Sequence, residues 1–468
     1  MRHACIVACL VAAALAGGCE LGPAYTRPDT VVPSAWKELP PHKPAEPADT
    51  KPRGEWWRMY DDPVLDGLEA DVVAANQSLR AAEANYRQAR AAIGVARAGL
   101  FPTVGGTVST SRARAGRTGG GSASSYSASA DAQWEIDVWG RVRRLVEAAQ
   151  ASEQAAAADV AAAQLSLQSE LAADYVQLRV ADAARRIFAD TVAAFERSLV
   201  LTQNRYSAGV VARADVVQAE AQLLGARASL IDIEATRAQL EHEIAALTGR
   251  APSDLTIAAV DSITSVPDVP VALPSTLLER RPDVAAAERR VAAANAQVGA
   301  ATAAIFPTIS LSAGLGFAGP SLGNWLSLPN RVWSLGANLA SPLFDAGLRR
   351  SQQQEAIAAY DATVADYRQT VLDAFRDVED NLATLRVLGE EARVQDEAVR
   401  AARESVTITT NQYRAGLVGF LNVVTVQAAA FNAERTALDL TGRRLVASVN
   451  LVKALGGGYA AGQVAALR

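Results

Sequence analysis

Asn204-Arg205-Tyr206-Ser207-Ala208-Gly209 returns 207 residues later as Asn411-Gln412-Tyr413-Arg414-Ala415-Gly416. The segment leading into the first copy opens at Gly140-Arg141, is rich in Ala and has no Gly before Gly209. No Pro lies between Pro102 and Pro252, so the strongest helix breaker is missing from the whole stretch. Leu167, Leu171, Tyr175 and Leu178, then Phe188, Val192, Phe195 and Leu199, recur at spacings of three and four, the period of a helix with one apolar face. A shorter periodic run follows and stops at Leu247-Thr248-Gly249. The stretch therefore predicts two antiparallel helices joined at Gly209, whose lack of Cβ suits the left-handed φ of a helix C′ position. At 1.5 Å per residue, the long arm of roughly 65 residues reaches about 95–100 Å, far beyond an ordinary globular helix.

The repeat extends outward from the turn. Gly140 recurs as Gly347, Gly249 as Gly456, and Val216-Val217 as Val423-Val424; Phe101-Pro102-Thr103 recurs as Phe306-Pro307-Thr308 at the shorter offset of 205. Two copies mean one supersecondary unit used twice, with pseudo-symmetry in the product. Ahead of each hairpin the period changes from helical to two. Val64 to Leu100 carries a helical pattern, ended at Phe101-Pro102 because a residue before Pro resists α geometry. Tyr126, Ala128, Ala130, Ala132, Trp134, Ile136 and Val138 then alternate with Ser125, Ser127, Ser129, Asp131, Gln133, Glu135 and Asp137, a strand with one apolar and one polar face. Thr103 to Thr110 gives a weaker first strand, with Arg112 to Ser124 expected as the loop between them. Ile309 to Phe317 and Trp333 to Ala340 repeat the pair around a loop from Gly319 to Asn330. Each strand is about the ten residues that a tilted strand needs to cross a bilayer. The alternation alone also fits a soluble two-faced sheet packed on helices. In lipid, four strands cannot close a barrel and open edges are forbidden, so several chains would share one barrel; three give twelve strands.

Composition narrows location and excludes several chemistries. Arg2 and His3 precede an apolar run from Ala4 to Leu15, followed by Ala16-Gly17-Gly18-Cys19: a short basic region, an apolar core and small residues before a cut. This reads as a signal peptide over 1–18, with Cys19 as the acylated first residue of a lipoprotein. It resembles the bacterial lipobox, with Ala16 where Leu is usual and Leu15 one place early. Glu20 follows the Cys, not the Asp that resembles an inner-membrane retention signal. All three cysteines, Cys5, Cys9 and Cys19, fall in the first twenty of 468 residues, so the body has no disulfide framework or Cys-based metal site. Three His residues argue against a multi-His metal site, and a net charge of −5 with evenly spread charges argues against nucleic-acid binding. No P-loop or nucleophile motif is present, which predicts no cofactor and no enzyme. The carboxylates Asp377, Glu379 and Asp380 read as a solvated or lumen-facing stripe.

Several motifs together resemble the TolC/OprM family of outer-membrane efflux channels, in its lipoprotein branch. They are Cys19-Glu20-Leu21-Gly22-Pro23-Ala24-Tyr25-Thr26-Arg27-Pro28; Glu279-Arg280-Arg281-Pro282-Asp283, Ala287-Glu288 and Ala293-Ala294-Asn295 leading to Phe306-Pro307-Thr308; and the doubled hairpin with Tyr206…Gly209 and Tyr413…Gly416. The resemblance covers nearly the whole chain after the signal. It implies an α+β membrane protein that forms a homotrimer. A twelve-stranded β-barrel would sit in the outer membrane and a long α-helical barrel would project into the periplasm. It further implies an exit duct for a tripartite pump, joined through a periplasmic adaptor to an inner-membrane transporter of the resistance–nodulation–division type. Type I protein secretion, or a periplasmic coiled-coil scaffold lipoprotein, are the other readings these residues admit.

The expected organisation is a signal at 1–18, a lipid anchor and extended strap at 19–63, a first repeat at 64–250, a linker with at most one strand at 251–274, a second repeat at 275–457 and a tail at 458–468. The resemblance implies that the turns, Ala208-Gly209-Val210 and Ala415-Gly416-Leu417, meet the adaptor. Leu421 and Thr425 are four residues apart and so share a helix face. They align with the family's constriction, with Thr425 where the family has Asp. Tyr413 and Arg414 resemble the tip residues whose bonds hold neighbouring hairpins together in the closed state.

Overall fold

A computed structural model describes residues 21–38, 55–114, 122–260, 265–267, 269 and 280–457; Cys19 and the signal lie outside them. Seven α-helices and four strands occur among these residues: α1 (Pro63–Ala75), α2 (Gln77–Ala98), β1 (Thr103–Arg114), β2 (Ser122–Ile136), α3 (Arg141–Ser207), α4 (Arg213–Leu247), α5 (Pro282–Ala303), β3 (Thr308–Gly319), β4 (Arg331–Ala340), α6 (Leu348–Arg414) and α7 (Phe420–Ala454). Both α3 and α6 have 67 residues, and both α4 and α7 have 35. The repeat read from the glycines is thus a repeat of elements. The chain falls into two compact units. One takes in the described parts of Met1–Thr30, Ala84–Ala157 and Ala285–Gln369, the other those of Val31–Glu83, Ala158–Val284 and Thr370–Arg468.

The first unit holds a four-stranded antiparallel sheet in the order β1-β2-β3-β4. The ladder pairs Val104 with Ala132, Ala132 with Ala313 and Ala313 with Leu335. Arg112 to Arg114 and Ser122 to Ser124, expected in a loop, belong to the strands, because the ladder continues to Arg114 opposite Ser122. Backbone pairing here overrides a Ser- and Arg-rich composition that reads as loop. At the helix-bearing end Asp137 receives the amides of Val142 and Arg143 (3.0 and 2.9 Å) and caps α3. Asp345 does the same for α6 through Gly347 and Arg349. The strap is held here too: Tyr25 donates its hydroxyl to Glu288, Arg27 reaches the Tyr367 hydroxyl at 3.1 Å, and Asn295 donates to the Pro23 carbonyl at 3.1 Å.

The second unit is helical. Leu171, Tyr175, Leu178, Phe188 and Phe195 are buried along α3, the stripe that the period requires. Val64 to Leu100 is two helices, not one. Asn76 breaks them with ψ 127°, donates to the Leu247 carbonyl at 2.8 Å and caps α2 by accepting the Leu79 amide at 3.0 Å, the behaviour of a short amide side chain that competes with helix. Among the described residues of 251–267 there is a 3₁₀ turn at Pro252–Asp254 and no strand. That segment is pinned instead by the buried Arg179, which donates to the Ala258 carbonyl (2.8 Å), and the half-buried Arg237, which donates to the Ile257 carbonyl (2.5 Å). The expected solvated carboxylate stripe has structural work: Glu379 accepts the amides of Lys37 and Glu38 (2.7 and 3.2 Å), and Asp377 meets Arg281 at 3.3 Å. Beside them Trp36 is buried edge-on against Phe375.

Candidate functional site

Two regions carry the functional expectations. One is the sheet. Alternate residues of paired strands share a face, and the register gives the sheet one mainly apolar and one mainly polar face. One face collects Val104, Val108, Ala128, Ala130, Ala132, Trp134, Ile136, Ile309, Leu311, Ala313, Leu315, Phe317, Trp333, Leu335 and Leu339. The other collects Ser109, Ser127, Ser129, Asp131, Gln133, Glu135, Ser310, Ser312, Ser334 and Asn338. On the apolar face Val104, Val108, Leu315, Trp333, Leu335 and Leu339 are all exposed. Five rows, from Leu339 to Arg331 along β4, make about 27 Å of strand, the scale of the apolar band of outer-membrane barrels. Aromatic residues lie at both ends: Tyr126, Phe317 and Trp333 at one, Phe101, Phe306 and Phe344 at the other. The outer edges of β1 and β4 have no strand partner among the described residues. Among those residues no helix is long and apolar enough to cross a membrane.

The other region is the pair of hairpin turns, both in the helical unit. Gly209 has φ +73° and Gly416 φ +77°, the left-handed conformation that only Gly adopts without strain. The closing bonds repeat: Gly209 to the Tyr206 carbonyl and Val210 to that of Arg205 (both 2.9 Å), Gly416 to the Tyr413 carbonyl (3.0 Å) and Leu417 to that of Gln412 (2.9 Å). This is the two-bond Schellman ending. Ala208, Gly209, Val210, Ala415, Gly416 and Leu417 are all exposed.

The two copies diverge one turn earlier. Tyr206 is 45 % exposed while its counterpart Tyr413 is 2 % exposed. Tyr413 packs with Ala219, Phe420, Val423 and Val424. From the first hairpin, Arg205 lays its guanidinium over the Tyr413 ring, 4.4 Å from the centroid, and donates to the Tyr413 carbonyl. The Tyr413 hydroxyl lies 3.4 Å from that of Thr202, and Gln427 donates to Ser198 at 3.1 Å. Tyr413 therefore joins the two hairpins of one chain. Arg414, named with it, is exposed and takes no part in that contact. Arg205 escapes the sequence reading because it sits inside the repeated motif yet has no cationic counterpart, Gln412 standing in its place; that asymmetry is the signal which marks it.

Leu421 and Thr425 both face outward on α7. Leu421 is 68 % exposed, and Thr425 donates its hydroxyl to the Leu421 carbonyl at 2.8 Å. The hydroxyl proton is thus used internally, and only oxygen lone pairs point away.

The family model of the "Outer membrane efflux protein" matches residues 70–250 and 273–457. The chain belongs to that family. The outer membrane efflux protein family gives it its place in the outer membrane and its role in efflux. It is similar to the probable efflux pump outer membrane protein TtgC of Pseudomonas putida, with 32 % identity over 457 residues covering 96 % of this chain and 94 % of TtgC. Among solved structures it is similar to the outer-membrane channel OprN, with a TM-score of 0.87 and 32 % identity over 94 % of this chain and 99 % of that one. It is also similar to the open state of the MtrE outer-membrane channel of Neisseria gonorrhoeae, with a TM-score of 0.84 and 29 % identity over 94 % of this chain and 99 % of that one. The efflux fold of these channels is the fold of this chain.

Proposed function

We propose that this chain is the outer-membrane exit duct of a tripartite efflux pump and works as a homotrimer. The observation that carries the reading is the open four-stranded sheet with one apolar face. A lipid-facing sheet must satisfy its edges, and three copies close twelve strands into one barrel. The polar, Ser-rich and acidic face then lines a water-filled lumen. The helices form the periplasmic duct, and the turns at Ala208-Gly209-Val210 and Ala415-Gly416-Leu417 meet a periplasmic adaptor, which links the duct to an inner-membrane transporter of the resistance–nodulation–division type. Transport energy comes from that transporter. Acylation at Cys19 supplements the barrel as an anchor.

The deciding experiment is the mass of the purified protein in mild detergent, corrected for bound detergent. Three chains are expected; a stable folded monomer would sink the architecture. Fatty-acid labelling lost in Cys19→Ser is expected for the lipid anchor. Ala208→Arg combined with Ala415→Arg should abolish adaptor cross-linking while the trimer persists, and full cross-linking in that variant would remove the tip contact.

Within this duct, Leu421 and Thr425 form successive rings about the threefold axis. Leu421 is the apolar constriction, and Thr425 replaces what would be a ring of carboxylates, leaving weak ionic selectivity. The exposure of Leu421, 68 %, supports this reading, since the described residues of its own chain leave most of the side chain uncovered.

A further inference from the structure

The apolar face of the sheet carries charge at one end only. Among the described strand residues on that face, the charged side chains are Arg112 and Arg114 of β1 and Arg331 of β4. All three are exposed. All three stand at the end of the sheet away from the helices, beyond or level with Val108, Ala128 and Phe317. The acidic strand residues, Asp131 and Glu135, lie on the opposite face. Arg112 is oriented across the strands by its bonds to the Ser122 hydroxyl, 3.2 and 3.0 Å from Nε and one terminal nitrogen. Tyr126, Phe317 and Trp333 lie on the same face in three successive rows of this end, Phe317 directly opposite Arg331.

We propose that this rim binds a lipid whose headgroup carries phosphate, in the leaflet that meets the distal ends of the strands. The proposal rests on the barrel reading above. A cationic side chain on the lipid face is costly at the bilayer midplane and nearly free at the interface, so its position marks the headgroup level. An all-Arg, acid-free set selects for anions, and the guanidinium fork matches phosphate oxygens in paired hydrogen bonds. Arg112 and Arg114 project from the same face of one strand, about 7 Å apart, a spacing that lets both engage one phosphorylated headgroup while its acyl chains lie on Val108, Leu315 and Trp333. Since β1 and β4 are the sheet edges, Arg331 of one copy borders the same seam as Arg112 and Arg114 of the next, which gives one such site per seam.

The test titrates the purified full-length protein with diphosphoryl lipid A, its phosphate-free analogue and inorganic pyrophosphate, with bound species counted by native mass spectrometry. The phosphorylated lipid should bind about tenfold more tightly than the phosphate-free one, the scale of a few charge-assisted hydrogen bonds. R112Q/R114Q/R331Q should remove that preference, and R112K/R114K/R331K should retain most of it. Equal binding of the two lipids, an undiminished preference in the Gln variant, or pyrophosphate binding as tightly as the lipid would each overturn the proposal. A bimane label at Leu335→Cys separates the two levels of argument. Quenching of the label by acyl-brominated phospholipid, with no phosphate preference, defeats the headgroup site alone; no quenching defeats the lipid-facing sheet and the headgroup site with it.

Discussion

Arg205 covers the ring of Tyr413 at 4.4 Å and donates to its carbonyl, so one cation joins the two hairpin turns of the chain through both side chain and backbone. Its loss would leave Ala219 in the Tyr413 cluster and the bond from Gln427 to Ser198, but would remove the cationic tie between the two turns. A cation–π contact of this kind contributes about 1–2 kcal/mol, a 5- to 30-fold bias in a two-state ratio. If the closed tip depends on the tie, Arg205→Ala should raise resting conductance in planar bilayers by about that factor and sensitise cells to large antibiotics, with the trimer melting near its usual temperature. Tyr206→Phe, at the exposed counterpart of Tyr413, should change neither. Resting conductance unaltered in Arg205→Ala would dissociate the contact from closure.

Much of this was legible before any coordinates. The left-handed glycines, the helical arms on either side of them and the two-faced strands are local properties, encoded in period and in the few residues that tolerate positive φ. Other features were not local. Arg112 and Arg114 look like loop until the strand opposite them is known. Asn76 interrupts a helical pattern only because the Leu247 carbonyl waits 171 residues away. Asp377 and Glu379 read as a solvated stripe because their partners, Arg281 and the amides of Lys37 and Glu38, are remote in sequence. At the turns the sequence marked Tyr413 but not the cation that sits on it.

Arg281 supports the second unit in a way that predicts a measurable stability effect. Its side chain is 12 % exposed and meets Asp283 at 2.6 Å, Asp377 at 3.3 Å and the Ala454 carbonyl at 3.3 Å. Burial opposes its charge, and bonds to Asp283 and then Asp377 more than restore it, so its pKa stands above the ordinary Arg value. Removing Arg281 leaves Asp283 and Asp377 partly hydrated, at 40 % and 37 % exposure, and takes a donor from the Ala454 carbonyl. Arg281→Ala should lower stability by about 1–2 kcal/mol, the scale of solvent-screened ion pairs plus one hydrogen bond, read as a lower melting temperature by circular dichroism, and Arg281→Lys should recover only part of it. A melting temperature unchanged in Arg281→Ala would show that the set contributes nothing net.

Glu69 is fully buried, and among the described residues neither of its carboxylate oxygens has a hydrogen-bond partner. Burial, and then the neighbouring charge of Asp66, pushes its pKa up to about 9. The folded state therefore keeps the proton that the unfolded state loses above the ordinary carboxylate pKa. Stability from this group is complete in acid, falls as pH rises past about 4.5, and levels off above about 9. At neutral pH the cost is about 3 kcal/mol. Glu69→Gln should flatten the pH dependence of the melting temperature between pH 5 and 9 and raise its value at pH 8. A steep decline retained in Glu69→Gln would assign the dependence to another group.

The proposed constriction makes the sharpest demand on function. A duct open at rest would leak solutes across the outer membrane, so the proposal requires its periplasmic end to close when no partner is engaged. Leu421 is 68 % exposed, and Thr425 lies one turn behind it with its proton donated to the Leu421 carbonyl. In the proposed trimer, three Leu side chains about the axis would exclude water and ions by desolvation, whereas three Thr oxygens would offer only weak acceptors. Leu421→Ser should therefore raise resting conductance and admit large antibiotics without altering the trimer, since a side chain this exposed contributes little to the packing of its own chain. Thr425→Asp should leave conductance near its resting value while shifting reversal potentials toward cations, because three carboxylates set a local negative field that three hydroxyls do not. Conductance unchanged by Leu421→Ser in an intact trimer would move the constriction to another ring of the duct.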